Sequence, residues 1–151
     1  MRELFTEIEI NASPEAVWRV LVDFNEYPAW NPFIRNIEGA LKEGSRLKVR
    51  IETPESPGMM FKPVVKKVTL NHEIRWLGHL IIPGLFDGEH RFEILATDKR
   101  KVRFIQRETF GGLLVPVLWK SLEAPTEQGF KDMNAALKQR AESSFDNKIT
   151  T

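Results

Sequence analysis

The 151-residue sequence contains no cysteine. That excludes disulfides, zinc–thiolate sites, iron–sulfur clusters and cysteine nucleophiles. It has no surplus of one charge either. The 22 Lys and Arg stand against 21 Asp and Glu, leaving a formal charge of +1. Nothing on the chain is built to neutralise a phosphate backbone, so no nucleic-acid partner is expected. The basic cluster Lys99-Arg100-Lys101 adjoins Asp98 and reads as a turn. Long apolar runs are missing. Stretches such as Leu113 to Trp119 fall far short of the roughly 18 residues of a membrane span, so no stable membrane insertion is expected. The opening MRELFTEIEI alternates acidic residues without an apolar block and is not read as a signal peptide. The expected location is the cytoplasm. There is no internal repeat and no low-complexity segment.

What is present suits one globular domain, with 42% hydrophobic and 28% charged residues. Leu4, Thr6, Ile8 and Ile10 share one side of a period-two pattern, and Glu3, Glu7 and Glu9 the other, as in a half-buried strand. Ser13-Pro14-Glu15 then supplies an N-cap, a first-turn proline and an acidic residue at the positive end of a helix dipole. Val17, Trp18, Leu21 and Val22 are the buried face of that helix.

The stretch EYPAWNPF, Glu26 to Phe33, sets Tyr27, Trp30 and Phe33 around Pro28 and Pro32. Two prolines this close exclude a regular helix or central strand. A short second helix or turn, laying aromatics over the end of a sheet, is expected.

Strands are then expected over Ile34 to Leu41, Arg46 to Glu52, Val64 to Leu70, Ile74 to Leu80, Phe86 to Ile94 and Val102 to Phe110. Thr53 to Met60, with two prolines, a glycine and no periodicity, reads as a loop. One face of the last two strands is apolar except for His90, Gln106 and Glu108. A hairpin centred on Thr97-Asp98-Lys99 sets His90 opposite Gln106, with Glu108 diagonal to it. From Gly112 the period becomes helical. Val115, Leu118, Trp119, Leu122, Thr126, Phe130, Met133 and Leu137 form one stripe of a long helix with Pro125 inside it, where a kink is expected.

The expected architecture is α+β: a curved seven-stranded antiparallel sheet around a long C-terminal helix, with two short N-terminal helices. With these residues, that order resembles the START-like helix-grip (SRPBCC) superfamily, in its polyketide cyclase/dehydrase-like bacterial branch. The segments that carry the likeness are Ser13 to Phe33, Ile74 to Ile94 and Phe130 to Glu142. Residues 1–142 are read as a single domain and 143–151 as a polar, frayed tail. The resemblance implies a deep apolar cavity between helix and sheet, and a small hydrophobic or amphipathic ligand such as a lipid, polyketide or aromatic metabolite. It implies no fixed catalytic set.

The candidate ligand contacts are Tyr27, Trp30, Met59, Trp76, His90, Phe92, Phe104, Gln106, Glu108, Leu118, Trp119 and Leu122. Each aromatic among them has a second reading as ordinary core. Met59 and Met60, adjacent on a loop, suit an adaptable lid over the cavity mouth. His90 and Glu108 are the candidate acid–base pair, since a carboxylate beside an imidazole holds its tautomer and raises its basicity. The same cluster also reads as a ligand-orienting device or as a satisfied polar network. His72 and His79 do not share His90's facing, so no metal site is expected. Gly111-Gly112 precedes a helix but lacks a P-loop lysine or a GxGxxG pattern, so no cofactor is expected. A ligand-binding protein, a cyclase or dehydratase, and a protein-interaction module all remain open, and the sequence does not show an oligomeric state.

Overall fold

A computed structural model describes residues 1–54, 56–80 and 82–150, with side chains for all of these but 56, 57 and 147–150. The alternation at the start forms β1 (Arg2–Ile10). Helix α1 (Pro14–Val22) begins as expected: Ser13 Oγ accepts from Ala16 N at 3.2 Å, and Ala16, Val17, Trp18 and Leu21 are buried. A 3-10 turn (Phe24–Glu26) leads into the single-turn α2 (Tyr27–Trp30).

The aromatic segment is pinned from both ends. Tyr27 Oη donates to Leu21 O at 2.6 Å, closing the segment onto the end of α1. Buried Asn31 accepts from Phe33 N and Ile34 N, both at 2.9 Å, through Oδ1. Those bonds satisfy backbone groups that the prolines leave outside any ladder.

Among the described residues there are eight strands in two antiparallel sheets, not one sheet of seven. The order is β1-β8-β7-β6-β5 in one and β2-β3-β4 in the other. The strands are β2 (Ile34–Glu38), β3 (Lys48–Thr53), β4 (Ser56–Phe61), β5 (Val64–Thr69), β6 (Glu73–Leu80), β7 (Phe86–Asp98) and β8 (Lys101–Gly111). The extra strand is β4, in the stretch expected as a loop. Its pairing with β3 sets Ile51 against Met59 and Arg50 against Met60. Its glycine hides the strand pattern, because Gly58 takes φ +111° and side chains other than glycine are strained there. The two sheets are joined by the bridge of Arg46 to Val64, flanked by Leu47 N to Pro63 O at 2.8 Å and Val65 N to Ser45 O at 2.9 Å. Pro63 has no N–H to carry the ladder further.

The β7–β8 hairpin also differs from expectation. The turn falls at Lys99-Arg100, where Asp98 Oδ1 accepts from Arg100 N at 2.7 Å. His90 therefore pairs directly with Glu108, and Phe92 with Gln106. The shift is two residues, so every side chain keeps its face.

Helix α3 (Val115–Thr150) is continuous through Pro125. It also runs on past Ser143, so the expected polar tail continues the helix as far as Thr150. The helix packs on β1, β8, β3 and α1. Phe130, Met133, Leu137 and Ala141 are fully buried from its middle onward. Before that point Leu118, Leu122 and Thr126 are only partly covered. The packed core thus runs under α3 from Phe130 onward, and a hollow lies under Leu118 to Thr126.

Candidate ligand site

The hollow is a cavity of about 440 Å³. Its floor is made by absence. Gly78 on β6 and Gly88 on β7 stand opposite each other on the inward face. Their neighbours on that face are large: Trp76 and His90 on one side, Leu80 and Phe86 on the other. Two missing side chains in one row leave a space that the pleat alone cannot close. Phe33, Ile51, Met59, Phe61, Phe86 and Phe110 wall it, and Leu118, Leu122 and Pro125 of α3 roof it. Polar lining comes from Thr53, His79, Glu108, Ser121 and Thr126. The Thr53 hydroxyl is buried without a partner. Pro125 has no N–H to give to the Ser121 carbonyl one turn back.

Glu108 carries the charge of this lining. Its side chain is 18% exposed, and Oε2 lies 3.4 Å from His90 Nδ1. Oε1 stands over Gly88: a Cβ there would come within 2.6 Å of it. Behind the carboxyl the polar groups continue inward. His90 Nε2 is 3.0 Å from Gln106 Oε1. Gln106 Nε2 donates to Asn134 Oδ1 at 2.8 Å and to Phe130 O at 3.3 Å. Asn134 Nδ2 donates to Thr6 Oγ1 at 3.0 Å. His90, Gln106, Asn134 and Thr6 are all buried. The row crosses β7, β8, α3 and β1, and every link pairs a donor with an acceptor, as burial requires. His90 is further held by Phe92, stacked at 4.2 Å, and by Phe130 edge-on at 4.9 Å.

Of the residues expected to contact a ligand, Met59, Glu108, Leu118 and Leu122 line the cavity. Tyr27, Trp76, His90, Phe92, Phe104, Gln106 and Trp119 are buried in the packed core beside it, and Trp30 is partly buried against that core. His90 and Gln106 lie directly behind the lining carboxyl. From the quoted aromatic segment it is Phe33 that reaches the cavity, packing on Phe130 with ring centroids 5.7 Å apart. Adjacent Met59 and Met60 do not form one lid. In a strand they point to opposite sides, and Met60 lies outside with Lys48 and Arg50. Gly78 and Gly88 were not among the expected ligand contacts, although glycine at inward positions of two successive strands marks a space.

The other candidates have partners of their own. His72 Nδ1 is 3.0 Å from Ile94 O at a turn. His79 Nδ1 is 2.7 Å from Asp87 Oδ1, and this hydrogen bond, opposed by burial, holds the Asp87 carboxyl below its usual range. The amides after Gly111-Gly112 are spent: Leu113 N donates to Gly84 O at 3.1 Å and Leu114 N to Leu85 O at 2.8 Å. Among the described residues no group of three His, Asp or Glu side chains is placed to hold a metal ion. No helix among them is long and apolar enough to cross a membrane.

The family profile described as polyketide cyclase / dehydrase and lipid transport matches residues 1–142. No curated protein is matched by the sequence. Among solved structures, the ZhuI aromatase/cyclase from Streptomyces sp. R1128 is similar at a TM-score of 0.77 and 15% identity, over 93% of each chain. A START superfamily protein from Mycobacterium smegmatis is similar at 0.68 and 22% identity, over 91% of this chain and 97% of that one. Norcoclaurine synthase from Thalictrum is similar at 0.72 and 15% identity, over 97% and 96%. At these identities the likeness is one of fold.

Proposed function

Because the chain belongs to the polyketide cyclase / dehydrase and lipid transport family of the START-like superfamily, we propose that its cavity binds a small hydrophobic or amphipathic molecule. The observation that carries this reading is the 440 Å³ hollow over Gly78 and Gly88, with apolar walls and a carboxyl at one side. Its size suits a small ligand, and its pattern of apolar wall with few polar groups is that of ligand pockets in general. Native mass spectrometry of the purified protein, with solvent extraction of anything released, tests it. The expected result is a stoichiometric small-molecule adduct that Gly78→Leu removes. An apolar fluorescent probe that binds the wild type and Gly78→Leu equally would count against the cavity.

A second reading is an enzyme of the cyclase or dehydratase type. What favours it is the Glu108–His90–Gln106 row, which sets an acid–base pair at the cavity wall with its ring orientation fixed from behind. Under this reading a candidate substrate disappears with time, and His90→Ala binds it without converting it. A binder returns its ligand unchanged.

A further inference from the structure

We infer that the ligand meets Glu108 through a hydrogen-bond donor, a hydroxyl, phenol or N–H group, rather than through a ketone, ether or carboxylate. The inference rests on the cavity being the binding site, and it narrows the class of molecule bound there.

The polarity of the buried row has a fixed origin. The Phe130 carbonyl can only accept. Gln106 must therefore turn its NH₂ toward Phe130 O and Asn134 Oδ1, which places its Oε1 against His90 Nε2. An acceptor there requires a proton on Nε2. In the neutral ring Nδ1 is then bare, and it faces Glu108 Oε2 at 3.4 Å.

Three proton arrangements follow, and all leave the same atom free. If the ring is neutral and Glu108 ionised, both carboxylate oxygens accept. If the ring is cationic, Nδ1–H points to Oε2, and Oε1 accepts. If Glu108 carries the proton beside a neutral ring, bare Nδ1 draws that proton to Oε2, and Oε1 again accepts. Oε1 is the oxygen over Gly88, on the cavity floor. The serine and threonine hydroxyls of the lining both donate and accept, and His79 is engaged through Nδ1 with Asp87, so Glu108 Oε1 is the lining atom whose accepting role the buried row fixes. A ketone or ether set against Oε1 puts two acceptors together and leaves both unpaired, whereas a donor makes a charge-assisted bond in a largely apolar space.

Matched probes test this: 2-naphthol, 2-methoxynaphthalene, 2-acetylnaphthalene and naphthalene, titrated calorimetrically into wild type, Glu108→Leu and Glu108→Gln. The naphthol should bind the wild type about tenfold or more tightly than the ether or the ketone, as a hydrogen bond to a charged group implies. That gap should close in Glu108→Leu. In Glu108→Gln, whose amide also donates, the ketone should gain. Equal binding of all four probes overturns the donor preference alone. If no probe binds, the cavity reading fails and takes the preference with it. A second measurement needs no ligand. Nitrogen-15 shifts of His90 should show a proton on Nε2, in the neutral or the cationic ring; a bare Nε2 overturns the derivation even if every probe binds, because a protonated Glu108 would then hold its proton on Oε1.

Discussion

Gln106 Oε1 meets His90 Nε2 at 3.0 Å while Gln106 Nε2 bonds to α3 through Asn134 and Phe130, so one amide joins the sheet's polar face to the helix that covers it. Gln106→Leu leaves the His90 N–H and the Asn134 oxygen buried without partners. A loss of about 2–4 kcal/mol in urea unfolding is expected from two such groups. Gln106→Glu should be comparably damaging at neutral pH, because its carboxylate faces two acceptors. It should recover relative to wild type as the pH falls and the new carboxyl gains a proton to donate. A loss below about 0.5 kcal/mol for both variants would show that the row carries no weight.

Tyr27, the one tyrosine of the chain, is buried and donates its hydroxyl to Leu21 O. Burial first, and the negative charge of Asp23 second, push its phenol well above the usual range. The folded state therefore favours the protonated phenol. That contribution is fully present below the unfolded phenol's pKa of about 10 and is lost as pH rises above it. Tyrosinate absorbance should appear together with unfolding rather than before it. Tyr27→Phe should cost about 1–2 kcal/mol at pH 7 for the lost bond, with a shallower decline above pH 10. Tyrosinate absorbance in a still-folded protein would sink this account.

Much of the fold was legible because it rests on local rules. Ser13-Pro14 caps α1 as its residue types require, and the inward face holding His90, Gln106 and Glu108 was read from alternation alone. The pairing across that face was not. Register depends on where the hairpin turns, and Asp98 favours a turn one step later by accepting from Arg100 N. β4 was illegible because Gly58 and the prolines around it carry loop signals, and only pairing with β3 overrides them. The cavity lining was legible in part. Glu108, Leu118 and Leu122 sit on regular elements whose facing follows from period, whereas Trp76, Phe92 and Phe104 share the inward face but are buried in the packed core beside the cavity. Where the packing gives way to the cavity depends on the Gly78–Gly88 row, a property of two strands together.

Asp87 accepts from Gly84 N through both oxygens at 3.1 Å as well as facing His79. Gly84 and Leu85 in turn hold the amides that start α3. The Asp87 carboxyl is held low, so its stabilising effect is present above the ordinary carboxylate pKa of about 4 and is lost as pH falls below it. Hydrogen exchange at Gly84, Leu113 and Leu114, corrected for intrinsic rates, should quicken at pH 3 in the wild type. Asp87→Ala should show the same at pH 7. Unchanged protection in the variant would mean that the loop is held by other contacts.

At Gly129, buried in α3, a Cβ would overlap the ring of Phe33. Alanine in a helix interior is favoured over glycine by about 1 kcal/mol. Overpacking a fixed aromatic costs about 1–3 kcal/mol, and Phe33 is fixed by Phe130 and by the Asn31 bond to its amide. Gly129→Ala should therefore be neutral to destabilising, by up to about 2 kcal/mol in thermal or urea unfolding. A clear gain in stability would show that Phe33 moves freely, and with it one wall of the cavity.

Gly88→Ala separates the carboxyl's role from that of the space. The new Cβ would approach Glu108 Oε1 to 2.6 Å, but that oxygen is the far end of a side chain and moves away at little cost. Folding stability should change by less than about 1 kcal/mol. A moved carboxyl loses its place both over the floor and beside His90, so a donor ligand should bind about tenfold more weakly. Gly78→Ala is the control. Its Cβ would meet the Phe61 ring at 3.3 Å, with no polar group near, and it removes a similar volume from the same floor. If the two alanines weaken a donor ligand equally, lost volume explains the effect and Glu108 has no directing role. If Gly88→Ala alone does so, while an apolar probe binds both variants alike, the carboxyl over Gly88 is what the ligand's polar group recognises.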